Sequence, residues 1–193
     1  MNRVSVFDTD LNSDYLRAKI LKQESRIIKK FPPLGVDGNF FDGQTGLGKD
    51  SLTSRANHFN VLKWFGTGNL KKWIRKSYDI HTDSKGETIY VQCWANVLRK
   101  GQKINAHNHS DDSQSLSGNV VVFTDEKTNT YYDGTPIENV NGKLVIFPST
   151  VFHWTDTYTG DNERITVAFD IMPTDRWENN VEDCRKSHWV KLK

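Results

Sequence analysis

A chain of 193 residues is long enough to bury a sizeable core, and nothing in it demands a second one. Its 26 basic and 24 acidic side chains nearly cancel, which gives no general electrostatic reason to bind nucleic acid or an anionic membrane. The longest apolar runs, Val120 to Phe123 and Leu144 to Phe147, fall far short of the ~20 residues that span a bilayer, and the polar start MNRVSVFDTD is no signal peptide. Cys93 and Cys184 form no metal-type pair, and Cys93 sits in an alternating pattern that reads as a small buried hydrophobe. These features predict a soluble protein of the reducing cytoplasm, with neither membrane nor nucleic acid as a partner.

The first eleven residues suit a short edge strand through Val4 and Phe7. Asn12 or Ser13 can cap a helix whose Leu16, Ile20, Ile27 and Ile28 fall on one face, and Pro32 and Pro33 end it before Phe31. Lys29 and Lys30 suit the negative end of its dipole. Gly35 to Asn60 is rich in Gly, Asp, Ser and Asn and reads as mostly loop, a length often used for lids or binding elements. Its His58 reads as a surface residue. A second, shorter helix is predicted from Asn69 to about Tyr78, with Leu70, Trp73 and Ile74 inward and a solvated basic face.

From Glu87 the period changes to two. Ile89, Val91, Cys93, Ala95 and Val97 alternate with Tyr90, Gln92, Trp94, Asn96 and Leu98, predicting a long strand with one small apolar face. KINAH, SLSGNVVVF, NTYYD, GKLVIF and ERITVAFDI are further strand-like runs, separated by turns such as Asp133-Gly134 and Asn141-Gly142. Helices followed by many short strands predict a mainly β fold with flanking helices, a sheet sandwich or jelly roll. The polar tail from Pro173 reads as a terminal segment docked by Trp177 and Trp189.

GQKINAHNHSDD, residues 101–112, carries two histidines, His107 and His109, one residue apart at the end of a strand-like run, so both rings would leave by one face. Far downstream His153 follows a second run, and Arg164 opens a third with Thr166 two residues on. Three facial protein ligands that leave adjacent sites open for an oxo-acid chelate and for O2 are what an Fe(II) oxygenase needs. The middle ligand stays open between His109 and Asp111. Arg164 could grip the distal carboxylate of 2-oxoglutarate in a planar, two-bond fashion, with the Thr166 hydroxyl on the same face. Gln92, Trp94, Asn96 and Tyr132 are candidates to line the pocket. Plainer readings stand beside these: Arg164 pairing with Asp161 or Glu163 at a turn, and His153 as a packed core histidine.

GQKINAHNH resembles the Gly-Gln-x-Tyr-x-x-His-x-Asp segment of prolyl 4-hydroxylase-type oxygenases. WANVLRKGQKINAHNHS, SLSGNVVVF, GKLVIFPSTVFHWT and GDNERITVAFDI are similar, in that order, to a phage and bacterial group of Fe(II)/2-oxoglutarate oxygenases, over Trp94 to about Met172. The resemblance implies a double-stranded β-helix of the cupin-like jelly-roll kind. It also implies iron held by His107, His109 and His153, and 2-oxoglutarate held by Arg164. It departs from the broader superfamily at His109, which stands where that superfamily has a carboxylate.

The expectation is therefore one oxygenase domain over residues 1–193: a helical and loop part (1–86), a jelly-roll core (87–172) and a C-terminal extension (173–193). It would use Fe(II), 2-oxoglutarate and O2 to hydroxylate a peptide or small molecule, in the host cytoplasm if the source is a phage. The rivals are a three-histidine zinc hydrolase or lyase and a non-catalytic jelly-roll binding module.

Overall fold

The computed structural model describes residues 3–33, 42–110, 115–180 and 188–193. In chain order the elements are β1 (Ser5–Asp8), α1 (Ser13–Lys30), two short 3-10 turns (Thr53–His58 and Val61–Lys63), α2 (Gly68–Thr82) and β2 (Ile89–Leu98). There follow β3 (Leu116–Phe123), β4 (Asn129–Tyr132), β5 (Thr135–Glu138), β6 (Lys143–Pro148), β7 (His153–Thr155), β8 (Arg164–Pro173), α3 (Thr174–Asn180) and β9 (Val190–Leu192). The strands form a larger antiparallel sheet in the order β1-β6-β3-β8-β2-β9 and a smaller one in the order β5-β4-β7. Mainly β, with helices against the larger sheet, this is the expected jelly-roll class.

Helix α1 matches its sequence signals closely. The Asn12 side chain accepts from the Tyr15 N–H at 3.0 Å, Asp14 lies in the first turn, and Phe31 turns extended ahead of the two prolines. Leu16, Ile20 and Ile27 are buried, as are Leu70 and Ile74 of α2. They pack on Val91, Cys93, Ala95, Val120, Leu144, Ile146, Val167 and Phe169 of the larger sheet, forming the main core. Each fully buried aliphatic side chain contributes roughly 1.5–3 kcal/mol. Helix α2 runs a turn longer than predicted, to Thr82, because Asp83 adopts the left-handed conformation (φ 54°) that closes a helix C-terminus.

Other expectations change. KINAH forms no strand; His107 makes only an isolated bridge to His153, and His109 lies in a bend. Its backbone bonds go instead to Thr45, Thr155 and His153, so the segment crosses the mouth of the smaller sheet. Three strands went unpredicted, β5, the three-residue β7 that pairs with β4, and β9. β5 is short, largely exposed and contains Pro136, all of which suit a sheet edge; it joins β4 through Asp133-Gly134, both at positive φ, as a two-residue hairpin requires. β9 adds three residues of the tail to the edge of β2. Trp177 docks as expected, stacked on Tyr90 with ring centroids 3.8 Å apart, whereas Trp189 is only half-buried next to β9. His58 stacks on Phe31 at 5.0 Å. Cys93 is fully buried, and Cys184, Asp111 and Asp112 lie outside the described residues. Among the described residues no helix is long and apolar enough to cross a membrane.

Strand alternation positions the cavity. On β8, Ile165, Val167, Phe169 and Ile171 face the helices, which leaves Arg164, Thr166, Ala168 and Asp170 on the opposite face. β2 pairs with it so that Gln92, Trp94 and Asn96 stand opposite Asp170, Ala168 and Thr166. Gly118 of β3 lies against the ring of Phe169, and a Cβ there would come within 2.5 Å of the ring and 2.6 Å of the Val145 carbonyl oxygen.

Candidate metal and cosubstrate site

A cavity of about 440 Å³ opens between the two sheets. Its walls come from β2, β3 and β8 on one side, β4 and β7 on the other, and the segments carrying Thr45, Asn57 and Asn108 at the rim. Part of the stretch read from sequence as loop, Thr53 included, thus forms a cavity wall, with Ser54 and Arg55 buried beside it.

His107, His109 and His153 meet in this cavity. One potential ligand atom from each lies within 4.8 Å of the others, and the ring centroids are 4.3 to 5.4 Å apart. Reciprocal backbone bonds join His107 to His153, at 3.2 and 2.9 Å, and bring together residues 46 positions apart in the chain. His109 is fixed by its N–H to the Ser149 carbonyl at 2.9 Å. Each Nδ1 faces an oxygen acceptor: the Asn105 carbonyl at 2.8 Å from His107, the Val151 carbonyl at 3.2 Å from His153, and Asp170 Oδ1 at 2.5 Å from His109. A neutral imidazole that donates from Nδ1 keeps its lone pair on Nε2, so each ring is in the tautomer a metal ligand requires. Burial, reinforced by the neighbouring imidazoles, pushes His107 down to about 4 and His153 well below the usual histidine range. Both are neutral at physiological pH and able to donate to a cation. Three nitrogen donors of this kind suit Fe(II) or Zn(II).

Arg164 lies at the deep end of the cavity, only 2% exposed. The plainer reading of this residue fails, because Glu163 pairs with Arg17 at 2.6 Å and Asp161 with Lys100 at 2.7 Å. Arg164 itself has no carboxylate partner among the described residues. One terminal nitrogen reaches Asn139 Oδ1 at 2.9 Å and Thr130 Oγ1 at 3.3 Å, while Nε and Nη1 are buried without a hydrogen-bond acceptor. Burial lowers its pKa to about 10, which leaves it a cation at neutral pH. A buried guanidinium with unmet donors is costly unless an anion completes it. Thr166, Thr130 and Thr155 add hydroxyls to the same wall.

Of the other pocket candidates, Gln92, Trp94 and Asn96 line the cavity and Tyr132 does not. Tyr132 lies behind His153, stacked with its centroid 6.1 Å away, and its hydroxyl accepts from Asn119 at 2.8 Å. Sequence reasoning missed Asp170 and Ser117. Ser117 donates to Asp170 Oδ1 at 2.7 Å and lies 3.1 Å from His109 Nδ1. The only signal for either residue was its cavity-facing phase in a strand, and that phase does not reveal a partner across the sheet.

The family model described as "Putative 2OG-Fe(II) oxygenase" matches residues 122–170, a stretch that contains His153, Arg164, Thr166 and Asp170 but stops short of His107 and His109. Among solved structures, a prolyl-4-hydroxylase of Pseudomonas putida superposes with TM-score 0.54 at 15% identity, covering 88% of this chain and 92% of that one. The fold is that of the prolyl hydroxylase-type oxygenases. A prolyl hydroxylase of Trichoplax adhaerens, solved with a hypoxia inducible factor peptide fragment, superposes with TM-score 0.57 at 9% identity over 93% and 87% of the two chains. A viral collagen prolyl hydroxylase from Paramecium Bursaria Chlorella virus-1, solved with 2-oxoglutarate, gives 0.54 at 14% identity over 87% and 94%. A comparison with curated proteins finds no match. Family model and fold agree with the resemblance read from the motifs.

Proposed function

We propose that the chain is an Fe(II)- and 2-oxoglutarate-dependent oxygenase, a single domain over residues 1–193 that hydroxylates an unactivated C–H bond of a peptide or small molecule and releases succinate and CO2. The observation that carries this reading is Arg164, a buried cation with two unmet donors, sharing one cavity with three converging imidazoles. A dicarboxylic oxo-acid answers both features, with one end for the metal and the other for the guanidinium.

In this assignment His107, His109 and His153 hold the metal and Arg164 holds the distal carboxylate of 2-oxoglutarate through its unmet N–H groups. Thr166 donates its hydroxyl to the same carboxylate. When bound, Fe(II) chelated by 2-oxoglutarate supplies the oxidising chemistry, with O2 as the second cosubstrate. The protein's own part is to fix the three rings through their Nδ1 bonds, set the length of the cosubstrate slot, and keep water from the deep end. The prime substrate enters past Gln92, Trp94 and Asn57 at the rim. A reducing compartment such as the cytoplasm suits this chemistry, because it keeps iron ferrous.

A zinc hydrolase or a sugar-binding jelly roll gives Arg164 no task, which is why neither is preferred. Anaerobic titration with Fe(II) and then 2-oxoglutarate is the test. The oxygenase develops a visible metal-to-ligand charge-transfer band only when both are present; a protein that binds the metal but shows no band on adding 2-oxoglutarate is not one.

A further inference from the structure

The three imidazoles are not equivalent. His107 and His153 are backed by neutral carbonyl groups, whereas His109 is backed by a carboxylate. That carboxylate is itself held in place. Asp170 lies on the cavity face of β8 with Ser117 and Gln92 as its cross-strand neighbours, and Ser117 donates to the same Oδ1 at 2.7 Å. Ser149 Oγ stands 2.7 Å from Ser117 Oγ, and since the Ser117 proton goes to Asp170, Ser149 is the donor of that pair. The Ser149 carbonyl meanwhile accepts the backbone N–H of His109. The network thus fixes both the ring and the backbone of one histidine, and this is the histidine that stands where the broader superfamily has a carboxylate.

We infer that Asp170 is a positioning residue that supplies, one hydrogen bond outside the coordination sphere, the negative charge that a carboxylate ligand would otherwise bring to the metal. The inference rests on the metal assignment proposed above. Charge balance supports it. A divalent metal, the dianion of 2-oxoglutarate and three neutral imidazoles sum to zero, while the same set with Asp170 carries one net negative charge. That total equals the one a two-histidine, one-carboxylate site reaches directly. An imidazole that donates from Nδ1 to a carboxylate is a stronger donor at Nε2 and is locked in ring orientation. Ser117 acts on the carboxylate rather than on the ring, keeping Oδ1 aimed at His109.

The test is metal binding in the full chain, read anaerobically without turnover. Fe(II) affinity and the d–d spectrum of the Co(II)-loaded protein are compared in wild type, Asp170→Asn, Ser117→Ala, His109→Asp and the double variant His109→Asp/Asp170→Asn. Asp170→Asn is expected to weaken Fe(II) binding by roughly 10- to 100-fold. It should also shift the charge-transfer band of the Fe(II)/2-oxoglutarate complex to shorter wavelength, because the metal becomes less electron-rich. Ser117→Ala should move both readouts the same way by a smaller factor. His109→Asp brings a carboxylate to the metal directly and leaves Asp170 no ring to position, so removing the charge of Asp170 in that background should weaken metal binding by a much smaller factor than in wild type. Circular dichroism and melting of the metal-free variants separate misfolding from loss of affinity. Wild-type affinity and an unmoved band in Asp170→Asn would overturn the inference while leaving the oxygenase reading intact. Weakening of metal binding by Asp170→Asn by the same factor in both backgrounds would also overturn it, since a merely structural Asp170 behaves that way. Wild-type protein that takes up no divalent metal would sink both readings, and protein that takes up metal without a 2-oxoglutarate band would sink the oxygenase alone.

Discussion

Strand β8 has two faces, and they carry opposite chemistry. Ile165, Val167, Phe169 and Ile171 are fully buried against the helices, while Arg164, Thr166, Ala168 and Asp170 border the cavity from the same ten residues. The first face is satisfied by its own protein: its apolar groups are out of water, packed into the main hydrophobic core. The second is not satisfied. It buries a guanidinium that has no carboxylate partner among the described residues, and imidazoles side by side, which the apolar face compensates energetically. The contrast separates residues kept for stability from residues kept for a ligand, and substitutions on either face should report on one property and spare the other.

The largest effect is expected at the imidazoles. His153→Ala removes one of the three proposed ligands and the ring contact with His107 while keeping their backbone bonds, and should reduce metal uptake, measured by metal analysis after dialysis, to background with loss of all turnover. Next is Arg164. Arg164→Ala should raise the Kd for 2-oxoglutarate by more than about 100-fold, since a bidentate pair loses two charge-assisted bonds at roughly 1.5–3 kcal/mol each, and leave Fe(II) affinity unchanged. Arg164→Met sharpens the comparison further. It replaces an unpaired buried cation by an apolar side chain of similar length, so the metal-free protein should melt higher, by about 1–4 kcal/mol of stability, although it no longer binds the cosubstrate. A variant that melts lower would mean that Arg164 belongs with the stabilising face.

On that other face, Ile74→Ala should cost about 2–5 kcal/mol in denaturant unfolding, with 2-oxoglutarate affinity per folded molecule unaltered. The buried imidazoles also make stability depend on pH. His107 and His153 have folded-state pKa values below those of the unfolded chain, His107 at about 4. Between that value and roughly 6.5 the unfolded state therefore binds more protons. Stability of the metal-free protein should be fully present above about pH 6.5 and decline as the pH falls toward 4, His107 alone accounting for about 3 kcal/mol. Melting scans from pH 7.5 to 4.5 check the sign; replacing His107 by Gln should flatten the slope.

How far the sequence could be read follows from the same division. Period-two burial in β2 and β8 was plain because one face is uniformly apolar, and the ends of α1 were plain because Asn12 and Pro32 act locally. β5, β7 and β9 were not, since strands of three or four residues are made by the edge they join and are too short to show a pattern of their own. KINAH looked like a strand on composition, yet its hydrogen bonds go to three separate segments. The candidate histidines, Arg164 and Thr166 could be listed from their order along the chain, but nothing local told a surface ion pair at Arg164 from a buried, unpaired cation.

Local chemistry by itself determined which residues alternate, where the first helix starts and stops, and which side chains were able to bind a metal or an anion. Only the tertiary structure decided that His107 bridges His153, that Glu163 and Asp161 turn to Arg17 and Lys100 rather than to Arg164, and that Asp170 meets His109 across 61 residues of chain. The reason is range. Periodicity and capping act over a few residues, whereas burial and the pairing of charges depend on which distant strands come to lie side by side.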